Sequence, residues 1–385
     1  MKFPMVKRGL VVAACLAVAV LVSGCSGFLD STTTTSSTTL TSKDFYILNK
    51  GGIYGAYIDS GKLTALSDSP YTVTGTPYAM AITPDGNYAY VSSTDGIYLY
   101  DISSSTGALT MQGQVDGDDQ AMALAVDPSG EWLLDASGLG YLIAIPISSG
   151  ALDTSGKRSK KSTTMTSKDV KSIAVTPSTS KGWVFVALGS SGTNAFEFDY
   201  SSTSKPLGTS GIRIKPYNTS GGSALSVAVD PSSRLLYVGE GSAFPNSTSS
   251  SGGLRAFTIA TSSLTELSAS PYASGGTGPH AILPESGGSY VYVANWNGTS
   301  KGNITGFTVS TSALTKLSAS VSTGNEPVGL VEDASSNFVM AVNGTGSTSL
   351  DAYYFDTTTS GQLDLSLTAT TSTTGTGPVT VVAIP

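Results

Sequence analysis

Short runs of apolar and β-branched residues recur along the chain at near-regular intervals. They read FYILNK (45–50), YAYVSS (88–93), WLLDAS (132–137), WVFVAL (183–188), LLYVGE (235–240), YVYVAN (290–295) and FVMAVN (338–343). Runs of this kind predict strands buried on both faces. Each is followed by a segment that alternates apolar and polar positions: IYGAYI, IYLYDI, YLIAIPI, NAFEFDY, LRAFTI, ITGFTV and LDAYYF. A leucine-centred element comes next, marked by Leu63, Leu109, Leu152, Leu207, Leu264, Leu314 and Leu363. Leu63 to Leu363 covers six intervals, a mean of 50 residues. A period of this length is the signature of a repeat architecture.

A fourth element precedes each later strand and ends in a turn: AMAITPDG (79–86), ALAVDPSG (123–130), IAVTPS (173–178), VAVDPS (227–232), HAILPESGG (280–288) and GLVEDASS (329–336). The first unit lacks its copy, and the tail PVTVVAIP (378–385) has the missing pattern. The C-terminal strand is therefore expected to complete the first unit beside Tyr46–Leu48. Four-stranded antiparallel units closed in this way predict an all-β, seven-bladed β-propeller, whose closure removes the exposed edges of an open array. A linear solenoid would need capping units instead of a shared one.

Composition agrees with this reading. Charged residues make up only 12% of the 385, against about 25% in typical soluble domains. The 44 glycines suit tight turns more than helices. Lys plus Arg total 20 against 27 Asp plus Glu, which argues against a nucleic-acid partner. One histidine in the chain excludes a His-rich metal site, and no cofactor motif is present, so neither metal nor cofactor is expected.

The first residues carry an address. Lys2, Lys7 and Arg8 precede an apolar run from Leu10 to Val22, too short to span about 30 Å of hydrocarbon but suited to a signal peptide. The run ends in Leu21-Val22-Ser23-Gly24-Cys25, which resembles a bacterial lipobox and implies lipidation of Cys25. Expected boundaries are a leader over 1–24, a lipidated cysteine with a Ser/Thr-rich tether over 25–42, and the propeller over 43–385. Cys15 lies in the leader, so Cys25 would be the only mature thiol. Ser26 rather than Asp follows the cysteine, which in a Gram-negative host would direct the protein to the outer membrane. The expectation is thus an exported, lipid-anchored monomer that meets the membrane through its lipid.

The repeats resemble those of the lactonase-type seven-bladed propellers, whose signature is YVTN. Here it survives as Tyr46-Ile-Leu-Asn49, Tyr292-Val-Ala-Asn295 and Met340-Ala-Val-Asn343. The resemblance implies that the innermost strand starts at the mouth of a central channel, where lactonase members carry a GPRH-like motif. The matching stretch is Gly278-Pro279-His280-Ala281, with His280 at the family's Arg position and Ala281 at its His position. The strand end Asn295-Trp296 lacks the family's Glu.

In the same register the expected rim residues are Tyr78, Met122, Lys171, Leu225, His280, Val328 and Val379. Opening a lactone needs a group that activates water and donors for the oxyanion. His280, Lys171 and Glu240 are the candidates for that chemistry. Tyr78 and Met122 at the mouth, with Phe244 and Trp296 in the loops 242–253 and 295–303, are candidate contacts for an unidentified protein or small-molecule ligand. This thin, largely apolar ring favours a cell-envelope binding module. A lactone hydrolase is the alternative, and a purely structural envelope protein is a third possibility.

Other motifs carry less. Gly298-Thr-Ser-Lys-Gly302 lacks the strand-to-helix elbow of a nucleophile. Asp116-Gly-Asp118-Asp119 lacks the distal Glu of a calcium loop. Lys157-Arg158-Ser-Lys160-Lys161 reads as a solvated loop.

Overall fold

The computed structural model describes residues 40–385 apart from 118–119, 154–160, 179, 203–205, 209–210 and 245–250. The predicted leader, Cys25 and all but the last three residues of the predicted tether lie outside the described residues, as do Asp118, Asp119 and most of the basic loop.

The described residues form seven antiparallel blades around a hub. Blade 1 has the order Pro378–Ala383, Phe45–Asn49, Gly52–Asp59, Lys62–Ala65. The closing strand lies beside the first, with Tyr46 opposite Val382 and Leu48 opposite Thr380, as the repeat count requires. Blades 2 to 5 follow in chain order, their inner strands being Pro77–Ile82, Ala121–Val126, Ser172–Val175 and Ser223–Val229. Blades 6 and 7 are joined by one long strand, Leu314–Glu332. Its first part is the outer strand of blade 6, pairing with Ser300–Val309, and its last part is the inner strand of blade 7, pairing with Phe338–Thr345. The inner strand of blade 6 is Gly278–Pro284.

The apolar runs are the second strands, and their two faces serve two different cores. Phe45 and Ile47 pack with Phe338, Met340 and Val342 of blade 7, while Tyr46 and Leu48 pack with Met80, Ala89 and Val91 of blade 2. The same division recurs at each boundary, which gives seven clusters for seven blade-to-blade interfaces among the described residues. Burying one such Phe or Ile contributes about 1.5–3 kcal/mol.

Polar positions in the repeat have local work. Asp127, Asp230 and Asp333, at the turn after an inner strand, are buried and accept backbone N–H bonds from the next strand's start, Trp132, Leu235 and Phe338. Tyrosine hydroxyls clasp one blade to the next: Tyr46 donates to the Gly107 carbonyl, Tyr90 to Gly150 at 2.6 Å and Tyr292 to Gly361 at 2.8 Å.

One blade breaks the pattern. Asp135 occupies the register position held elsewhere by Ile47, Val91, Val186, Val238, Val293 and Ala341. It is fully buried, and neither carboxyl oxygen has a hydrogen-bond partner among the described residues. Burial, reinforced by the Asp116 charge, pushes its carboxyl well above the ordinary range, so it stays protonated in the folded chain. The unfolded chain ionises it near 4, so its contribution to stability is full at lower pH and is lost as pH rises towards the folded value. Asp135→Val is expected to raise the melting temperature at neutral pH, with the gain shrinking towards pH ~4. A melting temperature unchanged or lowered at pH ~7 would contradict this account.

Candidate functional site at the channel mouth

Each inner strand pairs with its own second strand and turns its other edge to the hub. A β-bulge interrupts that pairing near the start of the strand. In blade 2, Pro77 is opposite Ser93 and Ala79 opposite Ser92, which leaves Tyr78 as the extra residue. The same irregularity leaves Met122, Leu225, His280, Val328 and Val379 extra in five other blades. Lys171, just ahead of the ladder in blade 4, takes the corresponding place and donates its N–H to the Ala187 carbonyl. A bulge re-aims the side chain it carries. Here it supplies a tier of residues to the rim.

A cavity of about 230 Å³ lies within this tier, lined by all seven blades. Six of the seven expected rim residues, Tyr78, Met122, Lys171, His280, Val328 and Val379, line it; Leu225 does not, its Cδ1 lying instead over Gly241 and Gly278. Below them come Ala79, Ala123, Ser172, Ser226, Ala281, Gly329 and Thr380, small residues that keep the hub open. Ser226 Oγ donates to the Pro279 carbonyl at 2.6 Å and ties adjacent inner strands together. No arginine lines the cavity among the described residues.

His280 is half-buried on this rim. The Trp296 ring meets it edge to face at 5.3 Å, and its Cδ2–Nε2 side lies over Gly278, where a Cβ would come within 3.2 Å. No hydrogen bond to the imidazole occurs among the described residues. Burial lowers its pKa below the ordinary value, the Glu326 carboxylate opposes that shift, and the Lys171 ammonium adds to it. The ring is therefore neutral at neutral pH, with a nitrogen able to accept a proton.

The Lys171 ammonium is paired with Asp169 at 2.7 Å, both side chains remaining exposed. Trp296 stands with His280 at the mouth and is pinned there by Thr277 Oγ1, which donates to its carbonyl at 2.6 Å. Phe244 instead lies against its own blade, with Cε2 3.5 Å from the Cβ position of Gly253. Met122 covers the Gly138 turn of blade 3.

Glu240 is placed apart from these groups. Its side chain is 1% exposed and its Oε1 lies 2.9 Å from Arg255 Nη1, while Oε2 accepts the Tyr217 N–H at 2.9 Å. Arg255 also holds Glu266 at 2.6 Å, donates to the Lys215 carbonyl and stacks 4.9 Å from the Phe257 ring. Burial pushes the Glu240 carboxyl up, and Arg255 pulls it down. With both oxygens engaged in this network, Glu240 does not line the cavity. Tyr217 N–H and Arg255 bind it where the equivalent Asn295 instead donates to the Ser274 carbonyl.

The sequence reading missed one rim carboxylate, Glu326. It sits one residue before Pro327, just outside the tier counted from the residue after each proline. The signal was available in the charge of that position and its asparagine-proline flanks.

The chain matches the family described as "Lactonase, 7-bladed beta-propeller" over residues 34–383. No curated protein matches it. Among solved structures, a putative 6-phosphogluconolactonase from Bacteroides fragilis is 16% identical, with a TM-score of 0.67 over 92% of this chain and 99% of that one. The periplasmic gluconolactonase of Pseudomonas aeruginosa is 16% identical, with a TM-score of 0.63 over 90% and 100%. A protein from Lactobacillus plantarum is 17% identical, with a TM-score of 0.63 over 89% and 99%. At these identities the likeness to solved structures shows the fold alone.

The burial of the Glu240–Arg255–Glu266 network sets an expectation. Arg255→Met is expected to cost about 3–5 kcal/mol, because it leaves a buried carboxylate uncompensated. His280→Ala, on an open rim, is expected to cost far less. Urea denaturation of both variants checks the contrast; an Arg255→Met chain as stable as the parent would return Glu240 to the pool of available bases.

Proposed function

The chain belongs to the lactonase family of seven-bladed propellers, and on that premise we propose that it opens an uncharged lactone at the channel mouth, with His280 as general base. The observation that carries this reading is a neutral imidazole, free of hydrogen bonds among the described residues, on the rim of a cavity to which every blade contributes. Family membership favours ring opening over the binding module that the apolar ring suggested on its own.

The chemistry needs little from the protein. Water attacks the lactone carbonyl as His280 takes its proton, and a C–O bond forms to give a tetrahedral oxyanion. The Lys171 ammonium, which has three N–H donors and gives one to Asp169, is the rim cation that can also donate to that charge. Collapse breaks the ring C–O bond, and the imidazolium returns its proton to the leaving oxygen. The product is a hydroxy acid, with His280 neutral again.

The lining bears on the substrate. A phosphorylated or carboxylated lactone calls for arginine or lysine clamps. This cavity offers one lysine, already engaged by Asp169. The small second tier and the free edges of the inner strands suit a neutral, hydroxyl-bearing ring. A second reading, binding without turnover, draws on the withdrawal of Glu240 into its ion-pair network.

Hydrolysis of glucono-δ-lactone by the full chain, corrected for spontaneous opening, tests the proposal. Activity is expected to rise with pH through an acid limb below the ordinary histidine value, because burial lowers the His280 pKa. His280→Ala is expected to reduce kcat/KM by about 100-fold or more. Absence of turnover across a panel of neutral lactones would favour the binding reading.

We also propose that the protein works in the cell envelope, tethered through Cys25, on the strength of the lipobox-like LVSGC sequence. Cys25→Ser is expected to release the protein from the membrane fraction, with mass spectrometry losing the acyl adduct. A protein that stays membrane-bound without Cys25 would refute that placement.

A further inference from the structure

Lys171 is the one lysine or arginine that lines the cavity among the described residues, and its ammonium does not stand free. The segment leading to it is anchored. Met165 and Val170 are buried in the core between blades 3 and 4, and the Asp169 N–H donates to Ser167 Oγ at 3.1 Å. Asp169 thereby lies beside the turn at 188–192, which joins the second and third strands of blade 4. Gly189 in that turn holds left-handed backbone, with φ of 55°. A Cβ there would collide with Asp169 Oδ2 and would lie 3.5 Å from Lys171 Cε. Glycine therefore supplies both the conformation and the space in which the two charged side chains meet. The turn itself is fixed to the next blade. Gly189 donates its N–H to the Ala224 carbonyl at 3.1 Å, and Ala224, on the inner strand of blade 5, returns a bond at 2.9 Å.

An ion pair this exposed adds little to stability. What it changes is the charge that a ligand meets. A bare ammonium attracts an anion, whereas an ammonium 2.7 Å from a carboxylate forms a pair with no net charge. The neighbouring Lys168 does not restore the balance, because its side chain lies over Gly140 in the turn of blade 3 and does not line the cavity. Glu326, which lies by Gly344 beside Val328 of the cavity wall, adds a negative charge. The mouth thus offers N–H donors without the positive charge that a phosphate group calls for.

We propose that Asp169 is a specificity-determining residue: by cancelling the charge of Lys171, it makes the channel mouth accept neutral lactones and turn away phosphorylated ones. This rests on the ring-opening reading and assigns its choice of substrate to one side chain. Lys171 keeps two N–H donors for a carbonyl oxygen, an oxyanion or a hydroxyl. A dianion needs more than donors, and the two carboxylates repel it. Asp169→Asn preserves the size of the side chain and frees the ammonium's charge.

The test compares glucono-δ-lactone with its 6-phosphorylated counterpart on three full chains: the parent, Asp169→Asn, and Asp169→Asn combined with Lys171→Met. Calorimetric binding of 6-phosphogluconate is measured on the same chains, so the comparison survives a loss of turnover. Asp169→Asn is expected to raise the ratio of kcat/KM for the phosphorylated over the neutral lactone about tenfold, and to tighten 6-phosphogluconate binding in the same direction. The double variant is expected to lose both gains, because they run through Lys171. A ratio that Asp169→Asn leaves unchanged overturns the proposal even if overall activity falls, since the role is then structural. Gains that persist in the double variant overturn it as well. If no chain opens either lactone but Asp169→Asn tightens 6-phosphogluconate binding, the charge assignment stands and the ring-opening reading fails.

Discussion

Each second strand in this wheel is apolar on both faces, so no blade is stable without a neighbour on each side. Phe45 and Ile47 need blade 7, while Tyr46 and Leu48 need blade 2. That requirement passes from blade to blade until it returns to its start, and Pro378–Ala383 meets it by pairing with Phe45–Asn49. An open array of the same units would leave an apolar face and an unpaired edge at each end. Closure joins the two ends of the described chain in one sheet, and it also places Val379 and Thr380 in the hub.

The bulges link this architecture to chemistry. A regular inner strand would alternate its side chains between the two interfaces and offer the hub only backbone. One extra residue per strand turns a side chain towards the rim without disturbing the core positions on either side of it. The rim can therefore vary while the wheel stays constant. It holds Tyr78, Met122, Lys171 and His280 in four blades, on a common framework. The functional groups of this protein are few because only some blades place a polar residue at that position.

Charged groups inside the wheel divide by whether a partner was available. Arg255 lies between Glu240 and Glu266 and on the Phe257 ring, and this cluster fixes blade 5 near the mouth. Asp135 has no such partner and stays protonated in an aliphatic position. In the sequence Glu240 and Asp135 are each an acidic residue in an otherwise apolar second strand. The difference between them lies in the neighbouring strands: Gly253–Ile259 brings Arg255 to Glu240, whereas Asp135 faces Ile143 and Leu124 in its ladders.

Much of this was legible in the sequence. Blade number, strand order, closure and six of the seven expected rim residues follow from period and register, because a propeller repeats one local pattern and side-chain direction in a strand depends on parity and the bulge. The hydrophobic runs therefore determined the wheel. What they could not determine is which polar side chains meet. Glu240 reads as an available base until Arg255, 15 residues away, is folded against it. Glu326 stands out in no sequence pattern until the wheel sets its strand on the blade beside that of His280, 46 residues earlier in the chain. Contacts of that kind depend on where side chains end up between neighbouring strands and neighbouring blades, and the tertiary structure alone decided them.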